Sequence, residues 1–250
     1  MQWELIDYRT STGKFNMEFD LNLIKLCKPF TPILRFYGWL PHCISLGANQ
    51  SFSEIKDIKT LEDNIDVVKR PTGGRAIFHA EELTYSVIMP NSDLLSGRKL
   101  YEDISNAIVL GLKQYDKKLV EVNLESRNPN FSDLLKSPSG SICFASTAKS
   151  EIKFKGKKLV GSAQRKLGST ILQHGSILIG DLHKKLVNYL NVTEEEKTKL
   201  EEEINSKTTE ISSIINSDVN IFQLQEKIVA GFEKIFNIEF FINKLETTIT

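Results

Sequence analysis

Residues 70–87, RPTGGRAIFHAEELTYSV, place two adjacent glycines between two runs with the composition of β-strands. The preceding run, IDVVKRP, stops at Pro71, and the following run, LTYSVIMP, is rich in residues that favour strands. Adjacent glycines adopt backbone angles closed to other residues and let a ligand approach the main chain. Their amide groups, with Arg70 and Arg75 beside them, suit an anionic or strongly polar group. From these residues alone a solvated hairpin turn and a ligand-binding loop both remain open.

The composition indicates a globular protein with a hydrophobic core of its own. Of the 250 residues, 40% are hydrophobic and 26% are charged, and the formal net charge is zero. A net charge of zero disfavours broad binding to nucleic acid or to an anionic membrane surface. Three cysteines without a CxxC pair, an N-terminus unlike a signal peptide, and no apolar run of membrane-spanning length together predict a soluble cytoplasmic protein.

Outward from the Gly-Gly stretch, apolar spacing predicts an α+β protein with a mostly antiparallel sheet flanked by helices. Helices are predicted over residues 16–27, 99–115, 193–213 and 221–236. Strands are predicted at PILRFYGW, CISLGANQ and LVEVNLE, in three consecutive segments joined by turns near Gly156 and Gly168, and at IEFFINKL. We expect one catalytic domain over residues 1–250, with its core motifs at about 30–180 and a helical C-terminal part at about 181–250.

Three separated blocks resemble the biotin/lipoate protein ligase superfamily, and they are most similar to its lipoate-ligase-like octanoyltransferases. The blocks are RFYGWLPHCISLG, the Gly-Gly stretch, and GKKLVGSAQRK with ILQHGSILI, and they cover roughly residues 30–180. The resemblance implies the catalytic-domain fold of that superfamily and a Gly-Gly loop that wraps an acyl group. The substrate-binding residues implied in this way are Arg70, Thr72, Gly73, Gly74, Arg75, His79, Gly161, Ser162, Ala163 and His174.

The resemblance also implies a catalytic pair, Cys143 and Lys158, fifteen residues apart. In this type of octanoyltransferase a cysteine takes the acyl chain from acyl carrier protein and passes it to a lysine of a lipoyl domain. The chemistry suits the residues, because a nearby ammonium favours the thiolate and a thioester remains reactive toward an amine. Without the family, Cys143 would read as a small buried hydrophobe. Cys27 and Cys43 are expected to serve in packing.

No metal site is predicted, since His42, His79 and His174 follow no HExxH or similar spacing. His183 is expected to face solvent. No cofactor is expected either, and ATP with Mg²⁺ would be needed only by a ligase.

The sequence leaves several functions open beside octanoyl transfer. An ATP-dependent lipoate-protein ligase is one, although SICFASTAKSE replaces the polar run expected there. A chain of 250 residues is also expected to be too short for the accessory domain of many ligases. An amidotransferase that moves acyl groups between lipoyl domains is another, and a non-catalytic protein that binds a lipoyl domain or fatty acid is a third. The expected partners are acyl carrier protein as donor, and glycine cleavage H protein or a 2-oxoacid dehydrogenase E2 as acceptor.

Overall fold

A computed structural model describes residues 2–90, 96–125 and 151–242, which form two β-sheets packed with helices. The strands are β1 (Gln2–Ser11), β2 (Ile33–Trp39), β3 (Cys43–Leu46), β4 (Asp66–Lys69), β5 (Ile77–His79), β6 (Glu82–Pro90), β7 (Asn123–Leu124), β8 (Ile152–Phe154), β9 (Lys157–Leu167), β10 (Thr170–Leu178) and β11 (Glu239–Ile242). The α-helices are α1 (Gly13–Leu26), α2 (Asp57–Glu62), α3 (Gly97–Tyr115), α4 (Glu194–Lys207), α5 (Ile211–Ile215) and α6 (Ile221–Phe236). Shorter 3₁₀ segments lie at Phe52–Glu54, Lys117–Leu119 and Leu182–Tyr189.

The larger sheet has the strand order β11-β1-β2-β6-β10-β9-β8-β7 in the described part of the chain. Strand β1 runs parallel to both of its neighbours, and the other pairs are antiparallel. The smaller sheet has the order β4-β3-β5. The prediction of an α+β fold with a mostly antiparallel sheet is therefore confirmed.

Alternating side chains of the central strands divide the molecule into two layers. On one face, residues such as Leu34, Phe36 and Tyr85 join a large core beneath the helices α3 and α6. The intervening residues point to the opposite face, where Tyr37 and Trp39 pack with Met17 of α1. The small sheet also contributes to this second layer, because Cys43 of β3 belongs to the same cluster.

A buried ion pair ties α1 to the second face of the large sheet. The Arg35 guanidinium contacts the Asp20 carboxylate at 2.6 Å, and both side chains are almost fully buried. The hydroxyls of Tyr37 and Ser86 also donate hydrogen bonds to the Asp20 carboxylate, so both of its oxygens have partners. This network fixes the side of α1 that carries Met17.

The structure differs from the predicted elements in places where long-range contacts decide the local conformation. Strands β1 and β5 and helix α2 were not predicted, and the strand expected at residues 119–125 is reduced to the two residues of β7. The helix expected over residues 193–213 is broken into α4 and α5. The break occurs where the Thr209 N–H donates to the Lys158 carbonyl, so that pairing with β9 replaces a helical bond. Within the described ranges, no helix is long and apolar enough to cross a membrane.

Candidate active site

A cavity of about 380 Å³, part of it open to solvent, lies between the two sheets on the α1 side. Met17, Tyr37, Trp39 and Ile77 supply apolar walls, and the polar residues converge from several strands. The complete lining is Met17, Tyr37, Trp39, Ser45, Arg70, Ile77, His79, Thr84, Gly161, Ser162, Ala163, His174, Gly175 and Ser176.

The Gly-Gly loop lies beside this cavity and is shaped by Arg70, which belongs to the lining. The buried guanidinium donates to the carbonyls of Ser45, Gly73 and Arg75 at 2.8, 3.1 and 2.6 Å. Gly74 has a φ of +92°, which side chains rarely allow. A Cβ on Gly47 would lie 1.9 Å from the Gly74 carbonyl oxygen, so the two backbones require glycine to approach so closely.

His79 sits at the centre of a buried hydrogen-bond network in the cavity wall. Its Nε2 lies 2.7 Å from the Ser45 hydroxyl, and its Nδ1 lies 2.8 Å from the Glu82 carboxylate. The imidazole also stacks on the Trp39 indole, with ring centroids 4.1 Å apart. These contacts fix both rings in one orientation. Ser45, His79 and Glu82 thus have the connectivity of a hydrolase relay.

One oxygen of Glu82 collects the hydrogen bonds of this network. Besides His79, the hydroxyls of Thr84 and Ser176 donate to it. Burial raises the pKa of the Glu82 carboxyl, but the His79 charge and these three hydrogen bonds outweigh it, and the pKa is lowered. The carboxylate is therefore ionised at neutral pH and anchors His79.

His174 joins the cavity floor to the Gly-Gly loop. Its Nε2 lies 2.6 Å from the hydroxyl of Thr72, a residue distant in sequence. Burial lowers the pKa of the His174 imidazole to about 3, and the positive charges of Arg70 and His79 add to the effect. The imidazole is consequently neutral at pH 7.

Lys158, at the start of β9, is buried and paired with Glu151. The Nζ–Oε1 distance is 2.6 Å, and each side chain is about 5% exposed or less. Lys158 lies three residues before Gly161 of the cavity wall, and its side chain does not itself line the described cavity. Its neighbour Lys157 is exposed, as β-strand alternation predicts.

The structure brings six of the predicted site residues around the cavity: Arg70, His79, Gly161, Ser162, Ala163 and His174. Thr72, Gly73 and Arg75 belong to the loop and contact residues of the lining, and Gly74 forms its exposed turn. Cys143 lies outside the described residues. The roles of all these residues in binding and catalysis stay predictions.

The prediction that His183 faces solvent was wrong. Its side chain is buried, with Nδ1 3.1 Å from the Gly180 carbonyl and Nε2 2.9 Å from the Thr208 hydroxyl. Burial lowers the pKa of this imidazole. His183 therefore helps to hold the α4–α5 connection that pairs with β9.

Sequence reasoning did not single out Met17, Ser45, Glu82, Thr84 or Ser176. The available signal was strand alternation, since Glu82 and Thr84 precede and follow a core position in β6, and Ser176 follows His174 by two residues in β10. No group of three or more potential metal-binding side chains occurs among the residues that the structure describes.

The chain is similar in sequence to one protein family and its members, and in fold to solved structures. Residues 12–233 match the family described as lipoyl protein ligase A/B catalytic domain. The octanoyltransferase LipM of Macrococcus caseolyticus is 31% identical over 245 residues, which are 95% of this chain and 88% of that protein. The octanoyltransferase LipM of Staphylococcus epidermidis is 33% identical over 248 residues, with coverage of 95% and 88%. A crystal structure of lipoate-protein ligase A bound with ATP shares the fold, with a TM-score of 0.75 at 20% identity over 97% of this chain and 89% of that one.

Proposed function

The chain belongs to the lipoyl protein ligase A/B catalytic domain family, and on this premise we propose that it transfers an octanoyl group through a thioester on Cys143. The donor is octanoyl-acyl carrier protein, and the acceptor is a lysine of a lipoyl domain, as in glycine cleavage H protein or a 2-oxoacid dehydrogenase E2. The observation that carries the proposal is the similarity to octanoyltransferases over almost the whole chain.

The two described cysteines are poor candidates for the nucleophile. Burial raises the pKa of the Cys27 thiol to about 11, with a contribution from the Glu4 charge. Burial also raises the pKa of the Cys43 thiol well above its usual value, and Asp66 and Glu82 add to this. Because the thiolate is the nucleophilic form, both groups are unreactive at neutral pH. Cys143 is the remaining cysteine of the sequence.

The reaction consists of two acyl exchanges. The Cys143 thiolate attacks the donor carbonyl, and the carrier's thiolate leaves as the enzyme thioester forms. The unprotonated acceptor amine then attacks that thioester, Cys143 leaves as thiolate, and the amine's extra proton goes to solvent. Lys158 supplies a positive charge for the oxyanion that develops in both steps. Thioester exchange needs no ATP, because the bond broken and the bond formed are of the same kind.

The lining of the cavity suits an acyl chain in its chemistry. Burial of a methylene contributes about 0.8 kcal/mol, so an octanoyl chain gains roughly 5 kcal/mol when it leaves water. Met17, Tyr37, Trp39 and Ile77 supply the apolar surface for that chain. Gly161, Ala163 and Gly175 also line the cavity.

A hydrolase-like serine is the competing nucleophile that the structure itself raises. Ser45 lies 2.7 Å from His79, which is bonded to Glu82 in turn. However, Ser45 lies within β3 between two paired strands, and its hydroxyl also accepts from Arg70 at 3.1 Å. This arrangement favours a structural role for Ser45.

Intact-protein mass spectrometry after mixing with octanoyl-acyl carrier protein, without ATP, tests the proposal. We expect one octanoyl adduct that is removed by hydroxylamine and maps to Cys143. The Cys143→Ser variant should lose lipoyl-domain acylation, and Cys27→Ser should retain it. An adduct on Ser45, or lipoyl-domain acylation that requires ATP and a free acid, would overturn the proposal.

A further inference from the structure

The buried Lys158–Glu151 pair lies at the edge of the large sheet, where β8 meets β9. Lysine and glutamate are almost never fully buried unless they are paired. The carboxylate and the ammonium are 2.6 Å apart, a short charge-assisted hydrogen bond. Their burial shows that the two charges are held together inside the protein.

The backbone fixes both members of this pair. A bulge in β9 makes Ile152 pair with Val160 and Lys153 pair with Lys158, so that Leu159 is the extra residue. Such bulges redirect side chains and often occur beside active sites. The Glu151 carbonyl accepts from the Glu125 N–H at 2.8 Å, and the Lys158 carbonyl accepts from the Thr209 N–H at 3.0 Å.

We propose that Glu151 is a positioning residue that holds the Lys158 ammonium in its working orientation. The inference rests on the proposed function, in which Lys158 stabilises the oxyanion. A lysine side chain is a flexible stem that ends in three donors. One of those donors binds Glu151, which restricts the stem and fixes where the ammonium lies. Glu151 forms and breaks no covalent bond, and Lys158 keeps its proton through both acyl exchanges.

The neighbouring strand pair provides a matched control. Lys153 and Glu125 form a second ion pair between β8 and the residue that follows β7, with an Nζ–Oε2 distance of 3.0 Å. This pair is also partly buried, with side chains 14% and 24% exposed. Glu125→Gln therefore removes a similar ion pair from the same sheet edge and leaves the Lys158 side chain with its partner.

The test uses the full chain with octanoyl-acyl carrier protein and a lipoyl domain, and it measures two rates. These are formation of the enzyme adduct in a single turnover and acylation of the lipoyl domain. We expect Glu151→Gln to slow adduct formation tenfold or more, with little change in the KM for the carrier. Glu151→Asp should recover part of the rate, and Glu125→Gln should stay within twofold of the wild type.

A double-mutant comparison separates positioning from simple stability. If Glu151 acts through Lys158, Glu151→Gln should cause no further loss in a Lys158→Met background. Additive losses, a loss that follows the folded fraction measured by circular dichroism, or a wild-type rate in Glu151→Gln would overturn the inference. A wild type that acylates the lipoyl domain with no adduct on Cys143 would instead contradict the proposed thioester. In that case the same comparison of lipoyl-domain acylation rates still decides the role of Glu151.

Discussion

The imidazole of His174 and the hydroxyl of Thr72 lie 2.6 Å apart and join the centre of β10 to the Gly-Gly loop. The contact is made by a neutral imidazole, because burial and the Arg70 and His79 charges lower the pKa of His174 to about 3. A protonated ring at this position would face the positive charge of Arg70. The loop is therefore stabilised by a group that folding keeps uncharged.

This relationship predicts a loss of stability in mild acid. The unfolded chain takes up a proton on His174 below a pH of about 6.5, whereas the folded chain does so only near the lowered pKa of about 3. The free energy of unfolding therefore falls as the pH drops from about 6.5 toward about 3. Between pH 7 and pH 5 the cost is about 2 kcal/mol in the free energy of unfolding. Urea unfolding of the wild type and of His174→Gln at pH 7 and at pH 5 measures this change in the free energy of unfolding. An equal change in both proteins would contradict the assignment.

Three glycines of the loop region predict graded effects on stability. Gly47→Ala would place a Cβ 1.9 Å from the Gly74 carbonyl oxygen, and Gly74→Ala would force a side chain to a φ of +92°. We expect each to cost about 1–3 kcal/mol in the free energy of unfolding. A Cβ on Gly73 meets nothing within 4 Å, so Gly73→Ala is the matched control for unfolding experiments. Equal stability of all three variants would contradict the described loop.

Met17 is predicted to limit the length of the acyl chain. Its side chain comes from α1 and lines the cavity, so Met17→Ala should lengthen the apolar space. We expect the preference for decanoyl over octanoyl thioesters to rise several-fold, since each buried methylene contributes about 0.8 kcal/mol. Competition between the two thioesters, read by mass spectrometry of the acylated product, measures this.

Leu23→Ala is the control for that experiment. Leu23 is buried on the same helix but packs with Ile33 and Ile88, away from the cavity lining. It should lower stability without changing the chain-length ratio. If both variants shift the ratio equally, the assignment of Met17 to the acyl site fails.

The Asp20–Arg35 pair should be far more important for stability than a surface pair on the same helix. Asp20→Asn leaves a buried guanidinium without its counter-charge, which costs about 3–5 kcal/mol. The Lys14 Nζ and Glu18 Oε1 atoms are 3.9 Å apart, and both side chains are mostly exposed. Glu18→Gln should therefore have no measurable effect on the free energy of unfolding. Thermal unfolding of both variants compares the two pairs. A stable Asp20→Asn protein would show that α1 is held by other contacts.

The fold and the superfamily could be predicted because short motifs carry them. The Gly-Gly stretch and the GKKLVGSA strand predicted the superfamily and its octanoyltransferase branch, and apolar spacing predicted a mostly antiparallel sheet. All three predictions are confirmed. Strand β1 was missed because its second half is polar, and only Trp3 and Leu5 of its first half are buried.

The inner lining of the cavity could not be read from local sequence. Ser45 and His79 meet because β3 and β5 pair antiparallel, and Ser176 reaches Glu82 across the β6–β10 ladder. Such contacts depend on strand register, which a sequence pattern does not specify for serine or threonine. His183 was misplaced because its partner Thr208 is distant in sequence, at the C-terminal end of α4.

The most direct test of acyl transfer through Cys143 is a chase of the isolated acyl-enzyme. Octanoylated protein, freed of donor and without ATP, is mixed with a lipoyl domain, and both masses are followed over time. The account predicts that the octanoyl group leaves the enzyme and appears on one lysine of the lipoyl domain at matching rates. An acyl-enzyme that persists, or that releases free octanoate while the lipoyl domain stays unmodified, would contradict it.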